Sequence, residues 1–161
     1  MHDCIFTLPN GRFLVVPSNL IRTLEQYRQL QPSSKEQGGM LLGVFRADDE
    51  EQFFLENPPC IEVLSITEPC DQDHATRFRF VRQCEHHLNK MKKAAQMYKE
   101  LVYIGEWHTH PEDNPSPSTI DLNSWQKAFK NKIAIVVIIG RVTNWWGLWM
   151  GDNIVQIKNL Q

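Results

Sequence analysis

The sequence predicts an α+β fold, and three observations carry that expectation. The chain has 161 residues, 42% hydrophobic and 22% charged, which suits a soluble globular protein with a single domain over residues 1–161. Short apolar runs of strand length recur from end to end, bounded by Pro, Gly and Asn. Segments with helical spacing lie between them in an irregular rather than strictly alternating order.

Residues 5–8 and 12–16 flank Pro9-Asn10-Gly11, a hairpin signal. Pro17-Ser18 opens a helix with Ser18 as its N-cap and Leu20, Ile21, Leu24, Tyr27 and Leu30 at helical spacing, ended by Pro32-Ser33-Ser34. Residues 40–45 read as a buried strand, and Gly38-Gly39 before it permit close backbone approach. The acidic run Asp48-Asp49-Glu50-Glu51 reads as a solvated turn, with strands at 52–56 and 61–66 after it.

A long helix is expected over residues 78–100, with Phe80, Val81, Cys84, Leu88, Met91, Ala95 and Tyr98 along one side. Its many Arg and Lys residues read as a solvated face or as a docking surface for an acidic partner. His86 and His87 diverge by about 100° on a helix, so no shared metal is expected there. Residues 101–105 form a strand that runs into a histidine-rich stretch. Pro111, Pro115 and Pro117 stiffen the loop that follows. Ser118 then starts a helix to about residue 130, with Ser118 and Asp121 placed as a capping box. Residues 133–139 are a buried β-branched strand, and 145–149 and 154–157 are strands joined through Gly151-Asp152-Asn153. Trp145, Trp146 and Trp149 read as core or sheet-face residues.

A formal charge of −2 argues against a general grip on nucleic acid. No stretch reaches the ~20 apolar residues of a membrane-spanning helix. The start lacks the basic segment of a secretory signal. Cys4, Cys60, Cys70 and Cys84 form no C-x-x-C pair, which argues against a cysteine zinc site. They read as free or buried thiols of a reducing compartment, with the cytoplasm as default location.

The chemistry concentrates in Glu106-Trp107-His108-Thr109-His110-Pro111. Residues i and i+2 of a strand share a face, so the two histidines start roughly 6.5–7 Å apart and their rings can converge on one ion. Asp121, in the first turn of the next helix, can supply a third ligand. Two His, one carboxylate and one open position make a hydrolytic zinc arrangement, in which coordination lowers the pKa of water to roughly 7. The helix start favours negative charge there. A base is needed as well. Glu36 and Glu106 are candidates with Glu112 behind them, and the residues alone do not separate them.

Glu36 before a glycine-containing apolar strand, His108-Thr109-His110-Pro111, Ser118 and Asp121 together resemble the JAMM motif of the MPN+ zinc metalloproteases, the JAB-domain family. That pattern is a remote Glu, H-[ST]-H-P, seven residues, S, two residues and D. Here residues 112–117 number six, a difference of one in how the first gap is counted. The similarity runs from about residue 15 to 150 in the order of its elements. The resemblance implies a mixed, curved β-sheet flanked by helices, with a cytidine-deaminase-like architecture. It implies one zinc ion per chain, held by His108, His110 and Asp121. Glu36 would then be the general acid/base for the attacking water, and Ser118 would hydrogen-bond the tetrahedral intermediate.

Such enzymes cut isopeptide or peptide bonds after the C-terminus of ubiquitin or a ubiquitin-like protein. Residues 105–111 are similar to small bacterial members, above all to deconjugating peptidases of CBASS antiphage operons. Those work beside activating-like and conjugating-like enzymes and free a target lysine from the C-terminal tail of a CD-NTase, a cGAS-like nucleotidyltransferase. Two alternatives stand beside this: a zinc peptidase that processes ubiquitin-like or sulfur-carrier precursors, and a non-catalytic MPN scaffold. A bound tail would add as an extended strand, with Gly38, Gly39 and residues 68–76 expected at its border.

Overall fold

The computed structural model describes residues 2–46 and 55–160. The acidic run at 48–51 and most of the strand expected at 52–56 lie outside the described residues. β1 (Asp3–Thr7) and β2 (Phe13–Pro17) form the expected antiparallel hairpin, and Gly11 takes φ +85° in its turn. α1 (Ser18–Glu25) leaves β2 directly. Pro17, in extended conformation, holds the N-cap place, so Ser18 is the first helical residue and not the cap. The helix also ends before Leu30, which stands exposed.

The remaining strands are β3 (Gly38–Arg46), β4 (Cys60–Ile66), the short β5 (His74–Ala75) and β6 (Phe80–Val81), β7 (Val102–Thr109), β8 (Ile133–Ile139), β9 (Asn144–Met150), β10 (Ile154–Gln156) and β11 (Lys158–Asn159). The other helices are α2 (His86–Met97) and α3 (Thr119–Ala128). Among the described residues, nine strands make one mixed sheet in the order β10-β9-β8-β7-β3-β4-β2-β1-β11, with β5 and β6 paired apart from it. The pairs β2–β4 and β7–β8 are parallel. Register shifts on both sides of β3 bend the sheet near its middle.

Both faces of the sheet are covered. Every residue of β8 is buried, as its unbroken β-branched run requires. Ile133, Ile135, Val137 and Ile139 face a core that holds Leu14, Trp107 and Leu24 of α1. Ala134, Val136 and Ile138 face the opposite core with Trp125 and Phe129 of the α3 region. Trp145 and Trp149 join that second core and Trp146 the first, as their expected core placement requires. Fully burying one of the Ile, Val or Leu side chains of these cores contributes about 1.5–3 kcal/mol. Among the described residues no helix is long and apolar enough to cross a membrane.

The helix expected over 78–100 is replaced by something else in its first third. Residues 80–81 pair with 74–75 as a small hairpin, and α2 starts only at His86. Its inward face is His87, Met91 and Ala94, packed toward Met40, Leu42 and Leu101. Leu88 and Tyr98 of the expected stripe are exposed. Bonds between distant residues cause the change. Cys70 and Cys84 form a disulfide with Cα atoms 6.5 Å apart, so these two are not free thiols, whereas Cys4 and Cys60 are. Inside the closed segment the Asp73 carboxylate accepts the backbone N–H groups of Cys70, Gln83 and Cys84.

Candidate metal centre and its groove

β7 carries the histidines between β3, which is antiparallel to it, and β8, which is parallel. Leu41 pairs with Gly105 and Leu42 with Tyr103, so Ile104 has no opposite number on β3. Beyond that irregularity Trp107 turns into the α1-side core, where its indole N–H donates to the Thr67 carbonyl at 3.0 Å. Glu106 and His108 turn the other way, toward α3. The Trp125 indole N–H donates to Glu106 Oε1 at 2.6 Å, and the His108 and Trp125 rings lie 6.1 Å apart.

The two histidines converge as their spacing predicts. Their Nε2 atoms are 3.1 Å apart. The Asp121 carboxylate closes the triangle, with Oδ1 3.1 Å from His108 Nε2 and Oδ2 3.1 Å from His110 Nε2. The expected capping box holds Asp121 there. Its N–H donates to Ser118 Oγ at 3.1 Å, and its Oδ2 accepts the Ser118 N–H at 2.8 Å. His110 is fixed from two sides: its N–H donates to the Ile139 carbonyl, and its Nδ1 meets Glu112 Oε1 at 2.8 Å.

These residues fit a zinc ion. Zinc–ligand distances of about 2.0–2.1 Å in a tetrahedron place ligand atoms roughly 3.3 Å apart; the two Nε2 atoms are 3.1 Å apart, and each lies 3.1 Å from a different oxygen of Asp121. When His110 donates its Nδ1–H to Glu112, its Nε2 lone pair faces a carboxylate and a second imidazole nitrogen, an arrangement that calls for a cation in the middle. With a proton in place of that cation, His110 Nε2 donates to Asp121 instead. Burial opposes charge on His110, but Asp121, Glu36 and Glu112 outweigh it and hold its pKa above the usual value. Burial also opposes charge on Asp121, but hydrogen bonds from both imidazoles hold it well below the carboxylate range.

Glu36 lies in the chain just before β3, buried, with its N–H donating to the Thr76 carbonyl at 2.6 Å. Its carboxylate and the ring nitrogens of His108 and His110 all lie within 4.8 Å of one another. Burial lifts its pKa to about 7, against the lowering pull of the two histidines. The structure thus separates Glu36 from Glu106, the two candidates the residues alone left open, and from Glu112 behind them. Glu36 faces the triangle, Glu106 is bound to Trp125, and Glu112 sits behind His110.

The triangle opens into a groove of about 290 Å³, floored by Glu36, Gly39, Glu106, His108 and Asp121. Residues 78–82 form one wall and Ile120 and Ser124 the other, with Phe78 and Ile120 exposed at the lips. Of the residues expected at the border, Gly39 lines this groove, whereas Gly38 and residues 68–76 do not and 78–82 take their place. Glycine at 38 and 39 is required: a Cβ would meet the Phe80 ring at 2.6 Å from Gly38 and the Thr67 backbone from Gly39. Sequence reasoning missed Trp125 and Gln29, whose roles depend on partners far along the chain.

Comparison with known proteins shows the family. Residues 21–150 match the family described as prokaryotic homologs of the JAB domain. A protein of Escherichia coli strain TW11681 named CD-NTase/cGAS isopeptidase is 32% identical over 160 residues, covering 98% of this chain and 96% of that one. A Vibrio cholerae protein of the same name is 29% identical over 161 residues, covering 99% and 96%. In fold, the chain is similar to a Desulfitobacterium hafniense protein solved in solution, with a TM-score of 0.50 at 20% identity over 89% of this chain and 87% of that one. The chain belongs to the Prok-JAB family, the prokaryotic homologs of the JAB domain.

Proposed function

We propose that this chain is a zinc-dependent isopeptidase, acting as one domain over residues 1–161. Its substrate would be a CD-NTase or ubiquitin-like C-terminal tail conjugated to a target lysine, and its role the regulation of antiviral CBASS defence. The observation that carries the reading is the triangle of His108, His110 and Asp121 with buried Glu36 beside it. Zinc held there would polarise the scissile carbonyl and acidify water. Glu36 takes the proton of the attacking water and returns it to the leaving amine, a task suited to a carboxylate whose pKa burial has raised to about 7. Glu112 fixes the His110 ring through Nδ1, which would leave Nε2 free to hold the ion. Ser118, at the exposed start of α3, accepts the Asp121 N–H and keeps its own hydrogen to donate to the developing oxyanion. An open groove with exposed Phe78 and Ile120 at its lips suits an extended tail rather than a small molecule. The names of the relatives support the CD-NTase tail as the acyl side.

The test is cleavage of lysine-linked fusions that end in CD-NTase, ubiquitin-like or unrelated tails, with zinc measured alongside. The expected result is about one zinc per chain, cleavage of the CD-NTase-tailed fusion, and loss with chelator. Glu36→Ala should lose about 10²–10⁴-fold in rate with its zinc retained. Cleavage by Glu36→Ala at the parent rate would remove Glu36 from the mechanism. A zinc-free protein that cuts nothing would favour the scaffold reading. Cleavage of only linear precursors would favour the processing peptidase.

A further inference from the structure

We infer that Gln29 is a positioning residue for Glu36: its side-chain amide joins the loop that carries Glu36 to the strand that carries the metal ligands. This rests on the reading of Glu36 as the base. Gln29 lies between α1 and β3 and is fully buried. Its Nε2 donates to the Ser34 carbonyl at 3.1 Å and to the Arg77 carbonyl at 2.9 Å. Its Oε1 accepts the Thr109 hydroxyl at 2.8 Å. That hydroxyl accepts the Gln37 N–H at 2.9 Å, and the Thr109 N–H donates to the Gln37 carbonyl at 2.9 Å.

The donor count leaves one arrangement. Two carbonyls can be met only by the NH₂ end of the amide, so the oxygen must face Thr109. The Thr109 hydroxyl already accepts from Gln37 and therefore donates its hydrogen to Gln29. Ser34 and Gln37 bracket Glu36 in the chain, and His108 and His110 bracket Thr109. Arg77 follows Thr76, whose carbonyl holds the Glu36 N–H. One amide thus touches the backbone just ahead of the base, the start of the groove wall, and the hydroxyl between the two ligands. Glu36 and the histidines sit on separate elements whose pairing ends at Gly38 and His108, and beyond that last pair this cross-link holds the Glu36 loop at its spacing. A displacement of about 1 Å at such a site can cost 10²-fold in rate.

The experiment compares Gln29→Leu, Gln29→Glu, Thr109→Val and Thr109→Ser in the full chain. Gln29→Glu keeps the shape but cannot donate to two carbonyls when ionised. We expect kcat to fall about 10–100-fold in Gln29→Leu, Gln29→Glu and Thr109→Val, with KM within about threefold and zinc content unchanged. Thr109→Ser keeps the hydroxyl and should recover most of what Thr109→Val loses. In a Glu36→Ala background, Gln29→Leu should cost nothing further. Amide hydrogen exchange at Glu36 and Gln37 should speed up in Gln29→Leu while β8 amides stay protected, a readout independent of cleavage. The proposal is overturned if Gln29→Leu lowers the residual rate of Glu36→Ala by its full factor, if zinc is lost, or if exchange at Glu36 is unchanged. Should Gln29→Leu not fold, the Thr109 pair tests the same bond. If the parent chain cuts no fusion, the isopeptidase reading fails, and the exchange measurement alone decides whether Gln29 fixes this loop.

Discussion

At the scale of single residues, burial and hydrogen bonds together set protonation, and His87 is the clearest instance. The ionised Asp73 carboxylate only accepts, so His87 Nε2 carries the hydrogen of their 2.8 Å bond; Nδ1 of the neutral ring then accepts from the Thr67 hydroxyl, which itself accepts the Met40 N–H. Burial lowers the His87 pKa, and Asp73 only partly offsets it. Asp73 is itself held below its usual value, its burial outweighed by the N–H groups and the imidazole it accepts from. The sign follows from linkage. An unfolded histidine takes up a proton as pH falls through about 6.5, while folded His87 resists until lower pH. The stability His87 contributes is full above about pH 6.5 and declines below it, by up to about 1.4 kcal/mol per pH unit. Denaturant unfolding from pH 7.5 to 5 should reveal this slope, and His87→Gln should flatten it. An unchanged slope would mean the ring is not held neutral. The convergence of His108, His110 and Asp121, with Ser118 capping the helix beside them, was legible in the sequence because it depends on spacing along the chain. His87 and Gln29 were not, because their partners lie as far as 20 and 80 residues away.

At the scale of elements, the segment from Cys70 to Cys84 separates what periodicity can reveal from what it cannot. Phe80, Val81, Cys84, Leu88 and Met91 fit a helical stripe, yet the first two pair in a hairpin and Leu88 faces outward. Apolar spacing cannot register a covalent bond between the ends of an excursion or an Asp73 that collects three backbone N–H groups within it. Elements with local signals came through. The Asn10-Gly11 hairpin, the 133–139 strand and the Ser118–Asp121 cap all stand where they were expected. The disulfide spans 14 residues in sequence, and closing a loop of about that size contributes roughly 3 kcal/mol. At roughly 2–4 °C per kcal/mol for a chain of this length, Cys84→Ser should lower Tm by roughly 6–12 °C. Calorimetry with and without a dithiol reductant checks this. Reductant should lower the parent Tm and leave Cys84→Ser unmoved. Equal sensitivity in both would show that the bond does not form in solution.

At the scale of the whole molecule, the centre is a junction of pieces that the sequence presents far apart. β3 brings Glu36 to the end of β7, parallel pairing with β8 fixes where β7 ends, and α3 returns to place Asp121 over it. Strand order is non-local, so neither the β7–β3 neighbourhood nor the pairing of β11 with β1 can be read along the chain. A metal at this junction would tie α3 to the sheet, since two ligands belong to the β7 end and one to the first turn of α3. Binding to the folded form alone stabilises by RT ln(1 + [Zn]/Kd), about 2.7 kcal/mol at a hundredfold excess over Kd and about 4.1 at a thousandfold. Chelation should therefore lower Tm by roughly 5–16 °C, and zinc should restore it. Asp121→Ala should start low and respond little to either. Hydrogen exchange should locate the loss, with chelation speeding residues 118–122 and leaving the β1–β2 hairpin unchanged. If chelation shifts Tm equally in the parent and Asp121→Ala, the ion binds elsewhere; if it loosens the hairpin as much as α3, the metal does not act as a local tie.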